Sequence, residues 1–251
     1  MSKVASYREL LSTLDVWDTY LLQECGLPGP RGNLELAEAV AEEGTEQLFV
    51  GYLAHTPDKA PTNSPEEFFH FCGVLGLGRL VAAGKREYLT VLRERASDPR
   101  WRSREAVAMA LQHWGKKDMD ALLEEMESWS HGSAFEQRAA AAALCEPALL
   151  RDPRVVDQVL RILDSITSSM QGATNRQAED FQALRKSMGY CWSVAVVAHP
   201  GVGKPMMECW FGSEDADIRW VMRENLGKKR IQRMDAPWVA QWSVKLRSNA
   251  R

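Results

Sequence analysis

Asp98-Pro99-Arg100-Trp101-Arg102-Ser103-Arg104-Glu105-Ala106-Val107 decides the fold. The aspartate–proline pair is a helix start. An Asp side chain accepts the orphan amides of a first turn, and proline fits the first helical position because its missing N–H has no partner there. A second copy stands downstream as Asp217-Ile218-Arg219-Trp220-Val221-Met222-Arg223-Glu224-Asn225-Leu226. Both contain Arg-Trp-x-x-Arg-Glu, with Arg100, Trp101, Arg104 and Glu105 matched to Arg219, Trp220, Arg223 and Glu224. Between them, Phe135-Glu136-Gln137-Arg138 and Phe181-Gln182-Ala183-Leu184-Arg185 fit the same frame more loosely. The anchoring arginines are then 34, 47 and 38 residues apart. Such intervals belong to helix-pair repeats of about 40 residues, the longest holding a loop over 171–177.

Outward from that frame, helical periodicity is everywhere and strand alternation is absent. Leu10, Leu14, Trp17 and Leu21 mark a first helix. Met119, Leu122, Leu123 and Met126 form another stripe, as do Val155, Val159, Ile162 and Ile166. Phe181, Leu184, Met188 and Trp192 follow, and Trp238, Trp242 and Leu246 close the chain. Ser64-Pro65-Glu66-Glu67 reads as a capping box, and Asp152-Pro153 repeats the aspartate–proline start. Gly44, Gly84, Gly115 and Gly227 stand where helices stop. Gly73, Gly76 and Gly78, inside a helical stretch, predict a tight helix crossing, since each weakens a helix unless a neighbour approaches closely.

One apolar stripe per short helix cannot be hidden within a single pair, so neighbouring pairs must stack. An acidic residue, a short gap and an arginine opening an Ala-rich helix resemble the HEAT repeat of the armadillo-like superfamily, most clearly over residues 98–247. The resemblance implies an all-α, right-handed α-solenoid of about six antiparallel helix pairs. Residues 1–97 would be irregular capping pairs and 98–251 the regular repeats of one continuous solenoid. The chain as a whole looks like bacterial HEAT-repeat proteins of unassigned activity.

Composition narrows the class. Hydrophobic residues make up 45% and charged residues 26%, which argues against disorder. No apolar run approaches the ~20 residues of a membrane span, and the first residues lack the apolar core of a secretory signal. No membrane association and a cytoplasmic location are expected. Cys25, Cys72, Cys145, Cys191 and Cys209 are scattered without a CxxC pair and read as free, buried hydrophobes rather than disulfides or a zinc site. The five histidines form no HExxH or paired-ligand spacing. No metal, cofactor or catalytic set is expected. Net charge is −3 but polar along the chain: −9 over Arg8–Glu67 and +7 over Arg219–Arg251. Such polarity suits a charge-selective partner or head-to-tail self-association, and leaves the oligomeric state open.

Candidate binding residues come from the repeated segments and the basic end. Spacing of four puts Trp101 and Glu105 on one helix face, and likewise Trp220 and Glu224, with Arg104 and Arg223 beside them. These pairs resemble the HEAT-repeat alkylpurine DNA glycosylases, where an aromatic and an aspartate line a concave groove and stabilise positive charge on a damaged nucleoside; here the carboxylates are glutamates. In the structural alternative tryptophan packs between repeats while arginine ties an acidic cap. Lys228, Lys229 and Arg230 sit amid Trp220, Trp238 and Trp242, a pattern that suits phosphates and bases, or equally the end of a helix whose negative pole they offset. His199-Pro200-Gly201-Val202-Gly203-Lys204-Pro205 lacks the residues of a phosphate loop and reads as a turn between helices. Gly26–Asn33 reads as a stiff connector, with Arg31 and backbone amides as an anion-site alternative. The expected function is non-catalytic binding of a protein or peptide in the concave groove of a helical scaffold. The alternative is a DNA-binding or DNA-repair protein, with nucleic acid held at the basic C-terminal end.

Overall fold

The structure, a computed structural model, describes residues 2–248, except the side chains of Arg247 and Ser248. Arg251 and the Arg247 side chain, the last cations of the basic stretch, lie outside the described residues. Among the described residues there are fifteen helices and no strand. The chain forms two compact units, residues 1–118 and 119–251. Asp98–Val107 therefore belongs with the N-terminal unit.

The N-terminal unit comprises α1 (Lys3–Leu11), α2 (Asp18–Glu24), α3 (Leu34–Glu43), α4 (Glu46–Tyr52), α5 (Glu67–Ala82), α6 (Tyr88–Arg95) and α7 (Trp101–Lys117). α1 packs on α3, α3 on α5 and α5 on α7, with α4 and α6 also against α5. The single first helix expected from Leu10 to Leu21 is broken in two. Ser12 Oγ and Thr13 Oγ1 donate to the carbonyls of Glu9 and Leu10, both at 2.7 Å, and the Trp17 indole donates to Leu11 O at 3.0 Å. Side-chain bonds of this kind compete with the helical ladder and end it.

α5 is buried almost all round, and its glycines are the reason it fits. A Cβ on Gly76 would stand 2.3 Å from the Phe49 ring of α4; one on Gly78 would stand 2.4 Å from Ala110 Cα of α7. The predicted tight crossing is thus two crossings, with α4 and α7. Ser64 does not cap α5. Its hydroxyl is buried without a partner, while Glu67 turns back to accept the Asn63 amide at 2.7 Å. Gly115 is interior to α7, which runs on to Lys117.

The C-terminal unit comprises α8 (Met119–Ser130), α9 (Ala134–Leu144), α10 (Pro153–Met170), α11 (Glu179–Ala198), α12 (Pro200–Trp210), α13 (Ala216–Leu226), α14 (Lys229–Met234) and α15 (Ala236–Ser248). α9 packs on α11, α11 on α13 and α13 on α15, while α8 packs on α10 and α10 on α12. The stripes of α10 and α11 are buried as their spacing requires, each large side chain contributing about 1.5–3 kcal/mol. Asp152 caps α10 by accepting the Arg154 amide at 2.9 Å. His199-Pro200 starts a helix rather than a turn, with Pro205 inside it. Gly203 permits this, since a Cβ there would lie 2.7 Å from Val196 Cα. Trp238 and Trp242 face inward and share Glu208 Oε1 as acceptor, at 2.5 and 3.2 Å. All five cysteines are free; four are buried as expected, but Cys209 is exposed on α12. No helix among the described residues is long and apolar enough to cross a membrane.

Candidate functional site

The start of α7 works as a three-pronged clamp. Arg100 is almost fully buried. Its guanidinium pairs with both oxygens of Asp98, at 2.9 and 2.8 Å, and donates to the carbonyls of His55 and Ala60 at 2.8 and 3.1 Å. Arg104 reaches back to Asp98 O and Pro99 O at 2.7 and 3.2 Å. Arg102 points to a different neighbourhood: Gly29 O at 2.6 Å, Asn63 Oδ1 at 3.2 Å and Glu67 Oε2 at 3.2 Å. Beside the clamp, His70 Nε2 lies 3.4 Å from Asp98 Oδ2. Burial and then the Arg100 charge push the His70 imidazole down to about 4, against the pull of Asp98.

Arg102 thereby fixes one wall of a cleft. The loop Gly26–Asn33 forms the other side. Gly26 sits at φ +75°, a left-handed conformation that glycine adopts without strain, and the Gly29 amide donates to Asn63 Oδ1 at 3.0 Å. Asn33 ends the loop by capping α3, accepting the Leu36 amide at 3.1 Å. Between loop and helix lies a cleft of about 170 Å³ lined by Leu27, Arg31, Gly32, Leu34, Phe68, Phe71, Trp101, Arg102, Glu105 and Met109. Its floor is the α5 pair Phe68 and Phe71, whose rings are nearly parallel at 6.4 Å. One helical turn beyond Leu34 and Met109, Glu38 and His113 bridge α3 to α7 at 2.8 Å.

Trp101 and Glu105 thus share a cleft, as their spacing of four requires. The Trp101 ring stacks on the Arg102 guanidinium, 4.4 Å from its centroid, yet the residue stays 44% exposed. Arg104 is not at the cleft: it is buried and ties the helix start, the structural role open to it from the sequence. Arg31, Arg102 and the apolar lining are the residues that sequence reasoning missed as one site. The Gly26–Asn33 loop was the available signal, but nothing in the sequence joins it to a helix some seventy residues on.

The second motif does a different job. Trp220 is half-buried against α11. A Cβ on Gly189 would stand 2.9 Å from its ring, and the Arg185 guanidinium lies 3.8 Å over it while pairing with Asp217 at 2.6 Å. Glu224 pairs with Lys228 at 3.4 Å. Arg223 and Lys229 are exposed, and Arg230 stacks on Tyr190 at 4.4 Å and hydrogen-bonds its hydroxyl. The reason the two motifs diverge is register. Arg219 donates to the carbonyls five and six residues before it, Glu214 and Ser213, as Arg104 does to Pro99 and Asp98. Both arginines are the fourth residue of their helix. Arg104 is therefore the counterpart of Arg219, and Trp220 falls where Glu105 stands, one turn deeper than Trp101.

Among the described residues no three His, Cys, Asp or Glu side chains are grouped so as to hold a metal ion. No protein-family model, curated protein or solved structure matches the chain.

Proposed function

We propose that the chain is a non-catalytic helical-repeat scaffold that holds a protein or peptide partner at the cleft of its N-terminal unit. In this reading the helix pairs within each unit stack as right-handed, HEAT-like repeats. The successive packing of α1, α3, α5 and α7, and of α9, α11, α13 and α15, supports it.

The observation that carries the reading is the chemistry of the cleft. It has an aromatic and aliphatic interior with charges confined to three lining residues, Arg31, Arg102 and Glu105, the make-up of a recognition pocket. Arginine stays protonated and cannot serve as a general base, so Glu105 stands without a second acid–base group among the lining residues. The test replaces Trp101 and, separately, the equally exposed Tyr190 with a photo-crosslinking phenylalanine. Polypeptide adducts should form at position 101 and not at 190. Equal labelling at both, or adducts to nucleic acid alone, overturns the reading.

A second reading draws on Trp101 and Glu105 sharing one cleft: DNA binding or repair of the HEAT glycosylase kind. It requires that the chain release an alkylated purine from duplex DNA and that Glu105→Gln abolish the release. The basic C-terminal end lends it less support, because Trp220, Glu224, Lys228 and Arg230 are engaged with their own neighbours.

A further inference from the structure

Resting on the scaffold reading, we propose that the cleft receives the C-terminal residue of a partner polypeptide, with a bulky apolar side chain inside and the α-carboxylate at Arg31. Size sets the first limit. A cleft of about 170 Å³ is in the class of the about 150 Å³ cavity that admits benzene, so it takes one ring or one branched side chain. Phe68, Phe71, Leu27, Leu34 and Met109 give that group an apolar lining.

Charge sets the second limit. Arg31 is exposed on the rim and makes no hydrogen bond or ion pair among the described residues, in contrast to Arg100, Arg102 and Arg104. Beside it, α3 starts at Leu34, and the Asn33 side chain accepts only the Leu36 amide, which leaves earlier first-turn amides for an anion, although Glu35 in that turn already offsets part of the helix's positive end. In the opposite wall Arg102, 5% exposed, has its terminal nitrogens taken by Glu67, Gly29 O and Asn63, so among the lining residues Arg31 is the cation open to a ligand. Glu105 on α7 tells against a ligand of more than one negative charge. Side chain and carboxylate must both be satisfied within one small cleft, so they belong to one residue and hang from one Cα. A chain terminus meets that condition, whereas an internal Asp or Glu carries its charge on a separate side chain. Capture of a terminal carboxylate by amides and a cation is an established mode of peptide recognition.

The experiment titrates the isotope-labelled full chain with acetyl-Gly-Ser-Gly-Leu as the free acid, the same peptide as its C-terminal amide, and acetyl-leucine, following the Gly32 amide and the Trp101 indole by NMR. The acid should shift both resonances, with the amide at least about tenfold weaker. Arg31→Gln should erase that difference and Arg31→Lys retain part of it. Acid and amide binding alike, or no shift at millimolar peptide, overturns the proposal. Acetyl-leucine binding as tightly as the peptide overturns the polypeptide as occupant, leaving a free carboxylic acid. If peptides fail while photo-adducts at position 101 persist, the scaffold reading stands and this inference alone falls.

Discussion

The α5–α7 face of the N-terminal unit and the α11–α13 face of the C-terminal unit begin from the same Arg-Trp-x-x-Arg-Glu text and end as an open cleft and a filled seam. In the first, tryptophan opens α7, leans on Arg102 and leaves the floor over Phe68 and Phe71 bare. In the second, tryptophan sits one turn deeper, presses on Gly189 and is covered by Arg185. Where a helix begins, rather than what it spells, decides whether a large side chain fills a space or borders one.

Four measurements break or sharpen that contrast. Arg102→Met leaves Glu67 fully buried without its cation and is expected to destabilise the chain by about 4 kcal/mol. The matching Arg185→Met, at a more exposed ion pair, should lose about 1 kcal/mol. Equal losses in urea denaturation would mean the two cations do the same work. Next comes acidification. The folded N-terminal unit holds His70 at about 4 instead of the ordinary 6.5, so the unfolded chain takes up a proton that the folded one refuses. Stability is full above pH 6.5 and should fall by about 3 kcal/mol towards pH 4. Burial pushes Asp98 up, but the hydrogen bonds and charge of Arg100 carry it below its usual value, and its loss adds only under that window. Urea midpoints at pH 7 and 4.5 should converge in His70→Leu; an unchanged pH slope would show that another group is responsible. Third, Gly78→Ala drives a methyl into the α7 backbone and should cost about 2 kcal/mol after the gain in helix propensity. Gly189→Ala meets the Trp220 ring, which can yield, and should stay within about 1 kcal/mol; a reversed order would refute the idea that only the first crossing is backbone on backbone. Smallest in stability is Trp101→Ala, expected to cost less than about 1 kcal/mol by thermal melting while removing the peptide titration.

Much of this was legible before the structure. The helical class, the glycine crossing, the Asp152 cap and the inward tryptophans of α15 follow from spacing and side-chain chemistry. The split of the first helix was hidden because Ser12 and Thr13 tolerate a helix and end it only when they take its carbonyls. The register of the two motifs was misread for a related reason. Asp98 spends its carboxylate on Arg100, so α7 starts at Trp101, whereas Asp215 caps α13 and places Arg219 where Arg104 stands. Identical letters aligned; Asp215, the cap that fixes the rotation of α13, lay two residues outside the aligned window. Trp101 and Glu105 could be paired from their spacing, but Arg31 and the α5 floor are joined to them only through contacts remote in sequence.

Those remote contacts also set an order of assembly. Glu67 is sealed from water with Arg102 as its counter-charge, and the loop at Gly29 is held by the same guanidinium, 73 positions later in the chain. While the protein is being synthesised from its N-terminus, the carboxylate, the loop and the aromatic floor all exist before the cation that locks them together. The cleft is therefore completed late, when α7 brings Trp101, Arg102, Glu105 and Met109, and a nascent chain stopped short of α7 has the loop and the aromatic floor but not the opposite wall.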